Sequence, residues 1–146
     1  MKIQDLMTRS VVVIGPNATL QEAGEKMKEF DIGVLPVWEN HQLLGVITDR
    51  DIAIRSVAAG HDPQSEKVAK AMTGQVHTCF EDQTVAEAAR LMTENQVRRL
   101  IVLDRDERLI GIISLGDVAV DSGNEQLAGG VLHEVCATEP VQGVGA

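Results

Sequence analysis

A hydroxyl residue precedes an aspartate by three positions at two places in the chain, in Thr48-x-x-Asp51 and in Ser114-x-x-Asp117. Each pair follows a glycine and a β-branched run and begins an amphipathic segment, which is typical of a strand that leads into a helix N-terminus. At such a position the two side chains form a capping box with the first helical turn. The same helix end also suits an anionic ligand, because its free N–H groups and the positive end of its dipole face outward.

These two copies belong to a longer repeat. Met7-Thr8 returns as Met72-Thr73, 65 residues later, and one extra residue in the second copy then aligns Gly45 with Gly111. Each copy is too small to bury its own apolar face, so the repeat predicts two similar units that need each other for stability.

The first half of each copy predicts a short strand and then a helix. The strands are expected at residues 11–14 and 76–79, and the helices begin at the capping boxes Thr19-x-x-Glu22 and Thr84-x-x-Glu87. The helices present apolar stripes with spacings of three and four residues, which we expect to be buried. These stripes are Leu20, Ala23, Met27 and Phe30 in the first copy, and Val85, Ala88 and Met92 in the second.

The second half of each copy predicts two strands joined by a tight polar turn, followed by a helix that ends at a glycine. This last helix is expected from Asp49 to Ala59 before Gly60, and from Leu115 to Ser122 before Gly123. The fold class is therefore α/β, with two β-α-β-β-α repeats. We expect repeat 1 at 1–60, a linker at 61–69, repeat 2 at 70–123 and a C-terminal tail at 124–146.

Composition limits the partners that this chain can have. Its 146 residues carry 22 acidic and 13 basic side chains, a net charge of −9, which argues against nucleic acid and anionic membrane as partners. No apolar run approaches the roughly 20 residues that a membrane span needs, and the N-terminus lacks the apolar core of a secretory signal. We therefore expect a cytoplasmic protein.

Two cysteines lie close to histidines, as His77-x-Cys79 and His133-x-x-Cys136. A strand and a helix would each place such a pair on one face, so a Cys₂His₂ zinc set is geometrically conceivable. The spacing matches no standard zinc signature, and the other interpretation is a half-buried strand with an ordinary tail. We assign no metal ligands and leave a structural metal as an alternative.

The doubled pattern of Met-Thr, helix, strand and Gly-apolar-apolar-[Thr/Ser]-x-x-Asp resembles a pair of CBS domains, the Bateman module. The resemblance covers residues from about 5 to 122. It implies two repeats packed about a pseudo-twofold axis, with clefts between them that bind AMP, ADP, ATP or, in some members, S-adenosylmethionine or NAD-type ligands. It also implies a homodimer.

The resemblance further assigns roles to individual residues. It implies that Asp51 and Asp117 accept hydrogen bonds from the ribose hydroxyls, and that Thr48 and Ser114 contact phosphate. Both roles suit the chemistry of these groups, because a carboxylate accepts from a vicinal diol and a hydroxyl at a helix N-terminus donates to phosphate.

Basic residues are distributed unequally between the two copies. Arg98 and Arg99 match the family's phosphate-contacting position just before the second strand, where the first copy has Gly33 and Val34. The first site therefore departs from the pattern, although Arg50 within its motif is a candidate to compensate. Arginine pairs well with phosphate, and the other interpretation of Arg98 and Arg99 is a pair of surface ion pairs.

These residues suggest two functions and argue against a third. The first is a non-catalytic regulatory module that binds an adenine nucleotide, requires no cofactor and signals to an unidentified regulated protein. The second is a ligand-free dimeric scaffold that recruits a partner protein, in which both motifs serve only as helix caps. An enzyme is the third, and it lacks support because no catalytic triad, Gly-rich phosphate loop or carboxylate pair is present in the sequence.

Overall fold

The computed structural model describes residues 1–121 and 123–137, and the chain divides into two compact units. The first unit is Ser10–Val76, and the second combines Met1–Arg9 with the chain from His77 onward. These units do not coincide with the proposed repeats at 1–60 and 70–123, because the first nine residues pack with the second repeat.

Both units contain helices and short strands. In chain order the elements are α1 (Ile3–Leu6), α2 (Leu20–Phe30), β1 (Val34–Glu39), β2 (Gln42–Thr48), α3 (Asp49–Asp51) with a π-helix (Ile52–Val57), α4 (Val68–Ala71), β3 (Thr78–Phe80), α5 (Val85–Asn95), β4 (Arg99–Leu103), β5 (Leu109–Ser114), α6 (Leu115–Asp121) and α7 (Glu125–Ala137). The mixed α/β class predicted from the sequence is confirmed.

The sheet of the first unit is an antiparallel hairpin of β1 and β2. Its turn residues Asn40 and His41 have φ angles of 51° and 62°, the left-handed values that a tight hairpin turn requires. The strand predicted at 11–14 is wrong, because only Ile14 pairs there, in an isolated parallel bridge to Val37.

The sheet of the second unit has the order β3-β4-β5, with β3 parallel to β4 and β5 antiparallel to it. The predicted strand at 76–79 is present, shifted to Thr78–Phe80. Arg99 at the start of β4 pairs with Ser114 at the end of β5. This register brings the doubled motif of the second repeat next to the arginines.

Each Met-Thr segment pairs with the last strand of the other sequence repeat. Thr8 exchanges two backbone hydrogen bonds with Ile112, at 2.8 and 3.0 Å, and Thr73 does the same with Val46, at 2.8 and 3.0 Å. The exchange explains why Met1–Arg9 belongs to the second unit. It also explains the neighbouring glycine, because a Cβ at Gly45 would lie 2.4 Å from the backbone oxygen of Thr73.

The predicted capping box is complete at the start of α2, whereas at the start of α5 only the bond to the N-cap hydroxyl is formed. Thr19 Oγ1 accepts from the Glu22 N–H at 3.2 Å, and the Thr19 N–H donates to the Glu22 carboxylate at 2.9 Å. Thr84 Oγ1 accepts from the Glu87 N–H at 3.1 Å. The predicted linker also packs, because the carbonyls of Pro63 and Glu66 accept from the first two N–H groups of α2.

The last helix of each repeat differs from the prediction in detail. After α3 the first copy continues as a π-helix, in which the Ala58 N–H bonds to the Ala53 carbonyl at 2.9 Å, and Gly60 follows with φ 77°. Its counterpart α6 is an ordinary α-helix, and the predicted end at Ser122 lies outside the described residues.

Each unit has its own core of aliphatic side chains. The buried stripe residues are Leu20, Ala23 and Met27 in the first unit, and Val85, Ala88 and Met92 in the second. Phe30 was expected in the stripe and is 50% exposed. The helix ends at Phe30, and Ile32, beyond the left-handed turn at Asp31, packs against the core instead.

The segment after α6 forms a helix that the sequence did not predict. Helix α7 buries Ala128, Val131 and Val135 in the core of the second unit. Asn124 Oδ1 accepts from the Leu127 N–H at 3.0 Å and caps its N-terminus. The described part of the predicted tail is therefore a structural element of this unit.

Candidate functional site

Both copies of the doubled motif form a capping box. Thr48 Oγ1 accepts from the Asp51 N–H and Asp51 Oδ2 from the Thr48 N–H, both at 3.0 Å. Ser114 Oγ accepts from the Asp117 N–H at 3.1 Å, and the Ser114 N–H donates to Asp117 Oδ2 at 2.8 Å. The capping role is confirmed at both sites. It uses one oxygen of each carboxylate.

The second copy places two arginines beside its motif. Arg99 and Ser114 face each other across β4 and β5, and the Leu115 N–H donates to the Arg98 carbonyl at 2.8 Å. These contacts hold both arginines close to the start of α6. Both arginines are exposed, and within residues 1–121 and 123–137 neither forms an ion pair with a carboxylate.

A cavity of about 550 Å³ opens at this position. Its wall combines the polar groups at the start of β4 and α6 with one acidic residue, Glu125, at the start of α7 and with small and apolar residues of α6 and α7. The lining residues are Arg98, Arg99, Ser114, Leu115, Gly116, Ala119, Glu125, Ala128, Gly129 and Leu132. A ligand here would meet cations and a hydroxyl at one part of the wall and aliphatic carbon over much of the remainder.

Helix α7 supplies the part of this site that sequence reasoning missed. Glu125, Gly129 and Leu132 share one helix face and line the cavity. Farther along the helix, Cys136 Sγ accepts a hydrogen bond from the Arg98 guanidinium at 3.3 Å. The signal for this helix was present in the apolar spacing of Ala128, Val131 and Val135 and in Asn124 as its cap.

Not every predicted site residue of the second copy lines the cavity. Arg98, Arg99 and Ser114 do, whereas Asp117 does not. The Asp117 side chain instead reaches back to the Ser114 N–H, as a carboxylate in the third helical position does. Asp117 follows directly after Gly116, which does line the cavity.

The first copy presents a different electrostatic environment. Its counterpart of Arg98 is Gly33, and a Cβ there would lie 2.8 Å from Asp49 Oδ2. An acidic group therefore lies where the second copy has a cation. Arg50 is exposed, and its N–H donates to Asp49 Oδ1 at 2.8 Å.

The motif carboxylate of the first copy also has more protein partners than that of the second. Thr73 Oγ1 lies 3.4 and 3.5 Å from the two oxygens of Asp51, and Arg55 Nε lies 3.8 Å from Oδ1. The Asp51 side chain is 12% exposed. These contacts leave it little capacity to accept from a ligand.

The four residues considered for zinc do not form a site in the described part of the chain, where no group of three His, Cys, Asp or Glu side chains could hold a metal ion. Cys79 is buried, and burial raises the pKa of its thiol to about 12, so the thiol stays protonated at neutral pH. Cys136 is exposed and is bound by Arg98.

Two carboxyl groups with shifted pKa values lie away from this cavity. The pKa of Asp82 is lowered chiefly by a hydrogen bond from the Arg105 side chain, and Arg105 also stacks 4.2 Å from the centre of the Phe80 ring. The pKa of Asp104 is lowered first by the backbone N–H of Arg108. Asp104 stabilises the turn between β4 and β5, and Asp82 joins the turn after β3 to Arg105 of that turn. Neither carboxyl group is part of a catalytic arrangement.

Comparison with known proteins gives a family match over most of the chain. The model described as "CBS domain" matches residues 3–57 and 68–121. No helix among the described residues has both the length and the apolar character needed to cross a bilayer.

Two relatives match over most of their length. CBS domain-containing protein YhcV of Bacillus subtilis is 38% identical over 133 residues, which cover 91% of this chain and 94% of the relative. Hypoxic response protein 1 of Mycobacterium tuberculosis is 35% identical over 117 residues, which cover 80% and 81%.

Solved structures give the same match. The crystal structure of hypoxic response protein I with two coordinated zinc ions has a TM-score of 0.72 at 34% identity and covers 82% of this chain and 97% of that one. The CBS domain pair of protein MJ0100, in complex with 5′-methylthioadenosine and S-adenosyl-L-methionine, has a TM-score of 0.73 at 25% identity and covers 86% and 98%.

Proposed function

The chain belongs to the CBS-domain family as a tandem pair, and on this premise we propose that it is a regulatory module that binds an adenine nucleotide in the cavity of its second unit. It is a CBS-pair protein and not an enzyme, since it matches stand-alone CBS proteins over most of their length. The MJ0100 pair binds adenosyl ligands. The choice of AMP, ADP or ATP for this chain is our proposal.

The observation that carries the proposal is the convergence of Arg98, Arg99 and Ser114 on one cavity. Guanidinium groups form short, charge-assisted hydrogen bonds to phosphate, and a hydroxyl adds a neutral donor. Arg99 has no carboxylate partner within the described ranges, so a phosphate would not have to displace one. On a chain of net charge −9, this is a local site for an anion.

The rest of the cavity suits a nucleobase. Leu115, Ala119, Ala128 and Leu132 offer aliphatic surface, and Leu132 is 45% exposed although it is a large apolar residue. A purine ring laid against these side chains would remove apolar area from water at about 25 cal/mol per Å². Such a site recognises the shape and the apolar faces of the base without aromatic stacking.

We propose that the ribose binds beside Asp117, which does not line the cavity but directly follows Gly116, which does. One oxygen of the Asp117 carboxylate holds the Ser114 N–H, and the other is the candidate acceptor for the ribose hydroxyls. The corresponding set in the first unit, Thr48, Arg50 and Asp51, has Asp49 close by and an aspartate already bound by the protein. We therefore propose that the nucleotide binds first in the second unit.

A ligand changes the behaviour of such a module only through its different affinities for two conformations. We infer that nucleotide binding shifts a conformational equilibrium that an unidentified regulated protein detects. The chain would act as a homodimer in the cytoplasm.

Replacing Asp117 by Asn tests this function. Asparagine still caps the helix, so the folding free energy should change little, whereas affinity for ATP should fall about fivefold or more as a charge-assisted hydrogen bond is lost. Calorimetric titration of the wild-type and D117N chains with AMP, ATP and S-adenosylmethionine measures this, and Asp51→Asn is the matched control. An unchanged affinity would assign Asp117 to capping alone.

Two observations favour the second candidate, a ligand-free dimeric scaffold. Both motifs are fully formed capping boxes, so their residues have a structural role without a ligand. Ile54 and Val57 of the π-helix are 56% and 62% exposed and offer an apolar surface to a partner. Absence of heat with millimolar AMP, ATP and S-adenosylmethionine, with the chain folded, would favour this scaffold.

A further inference from the structure

Two faces of helix α7 contact different parts of the second unit. One face, with Ala128, Val131 and Val135, is buried in the core of the second unit. The neighbouring face, with Glu125, Gly129 and Leu132 at spacings of four and three residues, lines the cavity. The helix therefore contributes both to the wall of the cavity and to the core of the second unit.

Gly129 and Gly130 lie in the interior of this helix, where glycine is the least favourable residue after proline. Packing does not require them, because a Cβ at either position would meet no atom within 4 Å. Only Gly129 lines the cavity. Its missing side chain leaves room in the cavity, and the two glycines together lower the intrinsic stability of the helix.

The helix also holds one of the arginines. The Arg98 guanidinium donates to Cys136 Sγ at 3.3 Å, and Cys136 lies near the C-terminal end of α7. The position of Arg98 therefore depends on α7 being in place. This contact therefore joins Arg98, which lines the cavity next to the start of β4, to the helix that forms another part of the cavity wall.

We propose that α7 is part of the ligand site, that Gly129 provides the space for the bound nucleotide, and that nucleotide binding stabilises the packing of α7. This inference rests on the proposed function and deepens it, because it identifies the element that responds to the ligand. Any ligand that binds only when α7 is packed must shift the helix toward the packed state.

The test compares two leucine variants. Gly129→Leu places a side chain in the cavity, whereas Gly130→Leu places the same side chain beside it, and both raise helix propensity equally. Calorimetric titration with ATP and with AMP should show at least a tenfold loss of affinity for G129L and a change within twofold for G130L. In the wild-type chain, amide hydrogen exchange in residues 125–137 should slow at least tenfold when ATP saturates the site.

The outcomes separate this inference from the proposed function. If ATP or AMP binds the wild-type chain but G129L and G130L bind equally well, the inference is wrong and the proposed function stands. The same holds if the nucleotide binds while exchange in residues 125–137 is unchanged, a measurement that needs no variant to fold. If neither nucleotide binds the wild-type chain, both are wrong.

Discussion

Replacement of both Arg98 and Arg99 by glutamine is expected to weaken ATP binding about a hundredfold or more. Each arginine is expected to donate a charge-assisted hydrogen bond to phosphate, worth about 1.5–3 kcal/mol, and about 1.4 kcal/mol corresponds to a factor of ten. Glutamine keeps a polar side chain but loses the charge and the forked geometry of the guanidinium group. Calorimetric titration of the double variant with ATP measures the loss.

The chain offers a matched control for this experiment. Arg90 and Arg108 are exposed, pair with Glu94 and Asp104, and lie outside the cavity. Their double replacement by glutamine changes the net charge by the same two units, so it controls for long-range electrostatics. Equal ATP affinity in the two double variants would refute the phosphate site. Adenosine, which has no phosphate, should bind the R98Q/R99Q chain and the wild-type chain within a factor of two.

Gly45→Ala is expected to destabilise the first unit by about 2–3 kcal/mol. The new Cβ would lie 2.4 Å from the Thr73 carbonyl oxygen, which is backbone and has no side-chain rotamer to relieve the contact. Relief requires the Met72-Thr73 segment to move, which strains its two hydrogen bonds to Val46. Overpacking and disturbed backbone pairing together give an effect of this size. Urea denaturation measures the free energy of unfolding.

Gly74→Ala is the control for this prediction. It adds the same methyl group one residue beyond Thr73, where a Cβ would meet no atom within 4 Å. We expect G74A to change the free energy of unfolding by less than about 0.5 kcal/mol, the usual range for a surface substitution. If G45A is as stable as G74A, the close approach of the Met72-Thr73 segment is not the reason why position 45 is a glycine.

The sequence predicted well the features that depend on residues close together in the chain. The hydroxyl and carboxyl residues of the doubled motif, and those of Thr19-x-x-Glu22, form capping boxes because three-residue spacing alone brings both groups to the same helix end. The repeat also predicted the similar hairpins in the two units. Arg98, Arg99 and Ser114 were predicted together, and the cavity brings them together.

The sequence did not predict the long-range strand pairing of the two Met-Thr segments. Thr8 pairs with Ile112 and Thr73 with Val46, so each Met-Thr segment pairs with the last strand of the other repeat and not with that of its own. Because the two repeats are alike, either strand offers similar backbone pairing, and no local pattern decides between them. The glycine beside each pairing site was visible in the sequence, whereas the chain segment that approaches it was not.

The part of the candidate site that α7 forms was not predicted, for a related reason. Helix α7 contains two adjacent glycines, and its apolar residues lie on more than one face, so its amphipathic pattern is weak. Burial of Ala128, Val131 and Val135 stabilises it. The wall with Glu125, Gly129 and Leu132 follows from that packing. The π-helix at Ile52–Val57 was likewise not predicted, because an α-helical pattern does not reveal where one extra residue enters a turn.

The most direct test of nucleotide binding in the second unit is a crystal structure of the chain grown with ATP. We expect ATP in the cavity of the second unit, with phosphate oxygens within hydrogen-bonding distance of Arg99 and Ser114 and the base against the aliphatic wall. An empty cavity at saturating ATP, or ATP with its phosphates away from both residues, would contradict this expectation.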